Sequence, residues 1–195
     1  YIRYSSNMTV QNSSLFLNAP GGSGDGLYLR NSQNSNLTDI NASQNDVGIE
    51  LQRSSNNNLQ DIIASSNSYG LYLTYGSGNT LTNITANSNI WYGLYLDRSS
   101  NNILTNITAN SNQEGLSLES STGNTLRNVS LQNNTYNFLV YPSALADYIQ
   151  DIDTSDTVEW GRPIYYWVNK TEGEINSSSN AGVIYLINCT NVTVK

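Results

Sequence analysis

Glycine recurs at Gly26, Gly48, Gly70, Gly93 and Gly115, and Asn137 stands at the sixth place in the series. The intervals are 22, 22, 23, 22 and 22 residues. A period this regular describes a solenoid, in which each repeat is one coil that buries its apolar face only against its neighbours. Length then says little about domain number, because coils add without enlarging a single core.

The aligned repeats show five aliphatic columns. The first two are Leu37, Leu59, Leu81, Leu104, Leu126 and Ile40, Ile62, Ile84, Ile107, Val129. A third holds Ala42, Ala64, Ala86, Ala109 and Leu131. The run after each glycine supplies Leu27, Ile49, Leu71, Leu94, Leu116, Phe138 and, two residues on, Leu29, Leu51, Leu73, Leu96, Leu118, Val140. A spacing of two is strand alternation, with every second side chain inward. Ser, Asn and Gly clusters between the strands read as turns. No stretch keeps a helical period, so the fold class is all-β, a parallel β-helix with coils of about 22 residues. L-x-x-I-x-A-x-x-N also matches the core of a leucine-rich repeat. The alternating GLYL-type strand that follows, and segments such as SSNNN that are poor in helix formers, favour the β-helix.

Asparagine forms two more columns. One is Asn45, Asn67, Asn89, Asn112 and Asn134; the other is Asn57, Asn79, Asn102 and Asn124. Identical amides one coil apart can hydrogen-bond as ladders, and asparagine at a bend can satisfy backbone groups that the bend frees.

The repeat breaks twice. Aligning Met8 with Ile40 requires about ten extra residues, with NAPGGSGDG as the expected bulge. After Tyr141 the pattern stops for some forty residues, and PIYYWV within that stretch is strongly β-forming. The expected organisation is β-helix coils over residues 1–141, an insertion with a hairpin-like segment over 142–181 lying against the side of the helix, and a return to a coil over 182–195. Asn191-Val-Thr-Val matches Asn106-Ile-Thr-Ala, which places the last residues in mid-coil. Tyr185–Lys195 also aligns with Tyr1–Gln11. That likeness points either to a tandem array or to ends that stack on other copies. Neither end shows a polar cap, and uncapped coils expose sheet edges.

Turns of the NITANSN…GLYL and SSNN type, with DTSDTVEWGRPIYYWVN followed by AGVIYLINCTNVTV, resemble the repeats and insertion of NosD-like proteins of the archaeal surface type. The resemblance spans essentially the whole chain. It implies a right-handed parallel β-helix, periplasmic copper delivery, and carbohydrate binding or hydrolysis in related β-helices. The residues do not support copper. Copper sites use His, Cys and Met, and this chain has no histidine, one cysteine (Cys189) and one methionine (Met8). Cys189 reads as an outward or corner residue.

The formal charge of −7, with 8 Lys plus Arg, argues against nucleic acid and anionic membranes. No apolar run is long enough to span a bilayer. Asp39 and Asp61, one coil apart, are the stacked acidic pair; their column continues as Asn83, Asn106 and Asn128. Asp147, Asp151, Asp153, Asp156 and Glu159 offer oxygen ligands of the kind Ca²⁺ takes, in a spacing unlike the D-x-D-x-D loop. No cofactor is expected. Tyr28, Tyr72 and Tyr95 share an outward column, and Tyr69, Tyr92 and Tyr136 another. With Asp39 and Asp61, Tyr28, Tyr72 and Tyr95 form the candidate sugar-contact set; exposed aromatic rows also suit protein contacts, and cross-strand tyrosines stabilise sheets.

There are twelve N-x-S/T sequons. Candidate glycan acceptors are Asn36, Asn41, Asn83, Asn106, Asn128, Asn169 and Asn176, although glycans on adjacent coils of one column would collide. The expectation is a non-enzymatic extracellular structural protein of an archaeal cell surface, sheath or filament. Its partners would be other copies of itself, end to end or laterally, and surface glycans. The alternative is a carbohydrate-binding or polysaccharide-cleaving module.

Overall fold

The computed structural model describes residues 1–16 and 24–195. The chain winds as a parallel β-solenoid. Its odd-numbered strands build a seven-stranded sheet: β1 (Ile2–Arg3), β3 (Leu27–Arg30), β5 (Val47–Gln52), β7 (Tyr69–Thr74), β9 (Tyr92–Asp97), β11 (Glu114–Glu119) and β13 (Tyr136–Tyr141). The even-numbered strands build the second sheet: β2 (Thr9–Ser14), β4 (Asn36–Asn41), β6 (Asn58–Ile63), β8 (Thr80–Thr85), β10 (Ile103–Thr108) and β12 (Thr125–Ser130). Further strands from the C-terminal part bring that sheet to ten. Neighbouring coils pair in register, Leu59 opposite Leu81 and Leu71 opposite Leu94. All five aliphatic columns are buried between the sheets from the second coil onward.

The first coil is offset from the second by 27 residues, with Val10 opposite Leu37 and Ser13 opposite Ile40. Met8 therefore does not align with Ile40, and the insertion is five residues beyond the period. The expected bulge lies, except for its last three residues, outside the described residues.

Leucine and isoleucine of the first two columns are three residues apart, yet both point inward. The cause is the second residue between them. Asp39, Asp61, Asn83, Asn106 and Asn128 all have φ between 54° and 56°. Among side-chain-bearing residues, Asn and Asp enter this left-handed region most readily. One such residue inside each strand re-aims the chain and restores the inward direction at Ile40 and its equivalents.

The repeated glycines answer a steric demand. A Cβ on Gly70 would lie 2.4 Å from the Gly93 carbonyl oxygen and 2.9 Å from Asn89 Nδ2. The asparagine amide of the next coil crosses directly over this position. Asn137 ends the series because no regular coil follows it, and its Oδ1 accepts from Asn134 Nδ2 at 3.0 Å.

Both asparagine columns are buried ladders. Asn67, Asn89 and Asn112 amide N–H groups donate to the next Oδ1 at 2.7–2.9 Å. In the second column Asn57, Asn79 and Asn102 do so at 2.9 Å. A third column, unread in the sequence because serine signals any turn, holds Ser32, Ser54, Gly76, Ser99 and Ser121, with ladder bonds on either side of the step from Ser54 to Gly76. Ser32 N–H donates to Ser54 Oγ at 3.0 Å, and Ser99 N–H to Ser121 Oγ at 2.9 Å.

Residues 142–161 extend the stack at its end instead of lying against its side. Strands β14 (Asp151–Ile152) and β15 (Thr157–Val158) pair parallel with β12, and Ile152 lies opposite Leu126. Side chains there meet donors that the last regular coil leaves open. Asn124 N–H donates to Gln150 Oε1 at 2.9 Å, Asn128 N–H to Ser155 Oγ at 2.8 Å, and Val129 N–H to Asp156 Oδ1 at 2.8 Å. Asn133 N–H donates to Glu159 Oε1 at 2.6 Å. Open backbone donors are costly to bury, which is why this segment sits on the end.

Strand β16 (Arg162–Val168) runs antiparallel to β15 about the 3₁₀ turn Glu159–Gly161. Strands β17 (Gly173–Ile175), β18 (Val183–Ile187) and β19 (Val192–Val194) follow. The last residues stack on the preceding segment, and β18 forms the edge of the ten-stranded sheet. Strand β18 pairs with β16, and β19 with β17, both parallel. Tyr166 and Tyr185 pack over Phe138 of β13 at ring distances of 6.2 and 5.7 Å, burying the end of the core.

Candidate functional site

Alternation in the seven-stranded sheet turns Tyr72 outward between inward Leu71 and Leu73. Register then aligns three outward columns: Val47, Tyr69, Tyr92, Glu114, Tyr136; Tyr28, Glu50, Tyr72, Tyr95, Ser117; and Gln52, Thr74, Asp97, Glu119, Tyr141. At their centre Tyr69, Tyr72, Tyr92 and Tyr95 form a quartet. Tyr72 and Tyr95 stack at 5.1 Å and 7°, and Tyr69 and Tyr92 at 5.2 Å and 16°. Tyr92 and Tyr95 stack at 4.6 Å. These distances are close to the spacing between strands, so the rings cover one another's faces along the axis.

The 23-residue interval becomes meaningful at this place. One residue separates Asn67 from Tyr69, but two, Ile90 and Trp91, separate Asn89 from Tyr92. Ile90 N–H still donates to Asn67 carbonyl oxygen at 2.8 Å, and Trp91 N–H to that of Ser68 at 2.9 Å. The ladder is therefore kept while the additional residue is accommodated in the bend. Ile90 is 64% exposed and Trp91 47%, immediately beside Tyr92. The interval was visible in the sequence; which residue it would expose was not.

Carboxylates frame the quartet. Glu50 lies opposite Tyr72, and Glu114 opposite Tyr92. Glu119 accepts the Tyr95 hydroxyl, and Glu114 accepts the Ser117 hydroxyl. Burial, reinforced by Asp25, pushes Glu50 up to about 7. Burial first, then Glu114, pushes the Tyr92 phenol up to about 12. Tyr69, Tyr72 and Tyr95 are also raised, chiefly by burial. None of these phenols is poised to lose its proton near neutrality.

The sugar-contact set divides between the two sheets. Tyr28, Tyr72 and Tyr95 stand on β3, β7 and β9, whereas Asp39 and Asp61 stand on β4 and β6. They share no surface. Tyr28 is separated from Tyr72 by Glu50, and its hydroxyl donates to Gln52 Oε1 at 2.8 Å. Glu50 shares the outward column of Tyr28, Tyr72 and Tyr95, as its spacing predicts, whereas the spacing did not mark Trp91, Asp97, Glu114 or Glu119 at this face.

The acidic run does not converge. Asp147 accepts from Ser143 and Ala144, Asp151 and Asp153 pair with Arg127, and Asp156 and Glu159 serve the end of the stack. Among the described residues no group of three or more His, Cys, Asp or Glu could hold a metal ion. Asn83, Asn106 and Asn128 form a ladder of their own on the surface. Asn106 Nδ2 donates to Asn83 Oδ1 at 3.0 Å and Asn128 Nδ2 to Asn106 Oδ1 at 2.8 Å, so these sequon amides are engaged. Asn36 is exposed at the start of β4, and Asn41 at its end accepts from Ser43. Asn169 accepts from Asn188, and Asn176 caps the turn Ser177–Ser179.

A parallel β-solenoid with ladder-lined bends defines the protein's class. The sequence profile described as periplasmic copper-binding protein (NosD) matches residues 1–151, and the chain belongs to that family. A comparison with curated proteins finds no sequence match. Among solved structures, the chain is similar to the A-module of the Azotobacter vinelandii mannuronan C-5 epimerase AlgE4. Identity is 16%, the TM-score is 0.64, and coverage is 97% of this chain and 54% of that one. It is also similar to the periplasmic alginate epimerase AlgG, at 14% identity and a TM-score of 0.56, covering 99% of this chain and 47% of that one. The chain thus spans about half the length of these structures.

The family's copper does not fit these residues. There is no histidine, and Met8 lies in the first coil. Cys189 Sγ is turned to the carbonyl oxygens of Trp167 and Ile187, at 3.3 and 3.5 Å. A soft-metal site needs several such donors converging on one point.

Proposed function

We propose that the protein is a glycan-binding β-helix module that works outside the cytoplasm and holds its ligand without transforming it. The observation that carries this reading is the Ile90–Trp91 bend. One added residue exposes an indole next in sequence to a face of four ordered tyrosines. Open aromatic rings with nearby hydrogen-bonding groups suit pyranose rings, which pair apolar C–H faces with hydroxyl edges. Because the tyrosines stack on one another, their exposed parts are edges and hydroxyls, and the half-exposed Trp91 is the neighbouring aromatic ring outside the stack. The carbohydrate epimerases that share the fold, and the periplasmic setting of the family and of AlgG, support the placement.

Trp91→Ala tests this on a glycan array followed by calorimetry. Affinity for the best-bound glycan is expected to fall by about tenfold or more, equivalent to about 1.4 kcal/mol, with little change in melting temperature. Unaltered affinity would end the reading.

A second reading is modular repetition through coils like those at residues 1–11 and 185–195, within a surface-associated structure. Tyr4 and Asn188 both have φ of 51°, and Asn7 and Asn191 have 56° and 55°, so the two aligned segments share their bends as well as their sequence. Sedimentation velocity across a concentration series tests it: head-to-tail species should grow with concentration, and a single monomer throughout would exclude self-stacking.

A further inference from the structure

The tyrosine quartet has carboxylates on three sides. Glu50 borders it on the preceding coil, Glu114 and Glu119 on the following coil, and Asp97 beside Thr74. Of these carboxylates only Asp97 is paired with a cation. Of the chain's 8 Lys plus Arg, only Arg3 and Arg30 stand in the outward columns, and β5 separates Arg30 from the quartet. Arg98 lies in the adjoining bend, where it pairs with Asp97 at 3.3 Å and sits over Tyr75.

A polyuronate brings one carboxylate per sugar. Proteins that hold such a chain answer it with guanidinium or ammonium groups, and this face has the opposite charge. Carboxylates accept hydrogen bonds and cannot donate them, so they complement hydroxyls. The Glu50 carboxylate makes no hydrogen bond among the described residues, and Glu119 Oε2 alone is taken by Tyr95. Acceptors are therefore available beside the aromatic surface.

Resting on the glycan-binding reading above, we infer that the ligand is an uncharged glycan, and that Glu50, Glu114 and Glu119 set this preference by repelling uronate carboxylates. The selectivity is thus opposite to that implied by a mannuronan substrate, the one named for the similar A-module.

Calorimetry with neutral gluco- and manno-oligosaccharides and with mannuronan oligosaccharides of equal length, at about 50 and 500 mM salt, tests this. Neutral oligosaccharides should bind with affinities that salt alters less than about twofold. Mannuronan should bind at least about tenfold more weakly at low salt, with the gap narrowing as salt rises. The triple variant Glu50→Gln, Glu114→Gln, Glu119→Gln should narrow the low-salt gap by about tenfold. Should that variant fold poorly, Glu50→Gln alone, measured at about pH 8.5 where Glu50 is ionised, removes a charge with no hydrogen bond to lose and should move the gap in the same direction. Mannuronan binding as tightly as the neutral chains at low salt would overturn the selectivity and leave glycan binding standing. An unmoved gap in Glu50→Gln would overturn the role of Glu50. Failure of the wild type to bind either class would overturn the glycan reading itself.

Discussion

Gly70 and Asp156 show how much of this architecture rests on single atoms. Gly70→Ala forces a Cβ against a backbone carbonyl of the next coil. Overpacking of this kind costs about 1–3 kcal/mol, so the melting temperature should fall by roughly 2–12 °C in a thermal scan. Asp156 presents the opposite problem. It is wholly buried, one oxygen accepts from Val129, and Oδ2 has no partner among the described residues. Burial pushes its carboxyl from 3.8 up to about 6. The folded state therefore holds the proton more tightly than the unfolded chain. That contribution is full below 3.8 and is lost as pH rises through about 6, at a cost of up to about 3 kcal/mol. Asp156→Asn keeps the acceptor and adds a neutral donor. It should be more stable than the wild type at pH 8 and lose the slope between pH 4 and 6, as read by denaturant titration.

Buried and surface asparagine ladders run along the same coils, and they should respond differently. Asn102 is fully buried; it accepts from Asn79 N–H and donates to the Gly76 carbonyl at 3.1 Å. Asn102→Ala strands both groups and should cost about 2–4 kcal/mol. Asn106, in the surface ladder, has water to replace its partners, and its left-handed backbone suits glycine. Asn106→Gly should stay within about 0.5 kcal/mol of the wild type by denaturant titration. Periodicity revealed the inward leucines, the required glycines and both buried asparagine columns, because each recurs at a fixed step. It could not reveal why the column of Asp39 holds only aspartate and asparagine, since the cause is a backbone angle. The Ser32–Ser121 ladder was hidden by the ordinariness of serine at turns. The end of the stack was hidden for another reason: Gln150, Ser155, Asp156 and Glu159 replace repeating backbone with side chains that share no period. Trp91 lay inside a visible irregularity, but only packing shows which residue the bend exposes.

Across the whole molecule, stability is a sum over neighbouring coils, and the ends are where opening begins. The side chains that close the stack therefore protect more than themselves. Gln150→Ala should raise hydrogen exchange first at Asn124, whose N–H it accepts, and then along β12, while β6 and β8 keep wild-type protection. Uniform acceleration throughout would show that the coils unfold as one body. The four stacked tyrosines add an optical property. Near-parallel rings 5.1 Å apart couple their electronic transitions, so the binding face should carry its own circular-dichroism signature in the near ultraviolet. The sheets report in the far ultraviolet. Occupancy of the face and integrity of the solenoid can thus be followed separately in one unlabelled sample.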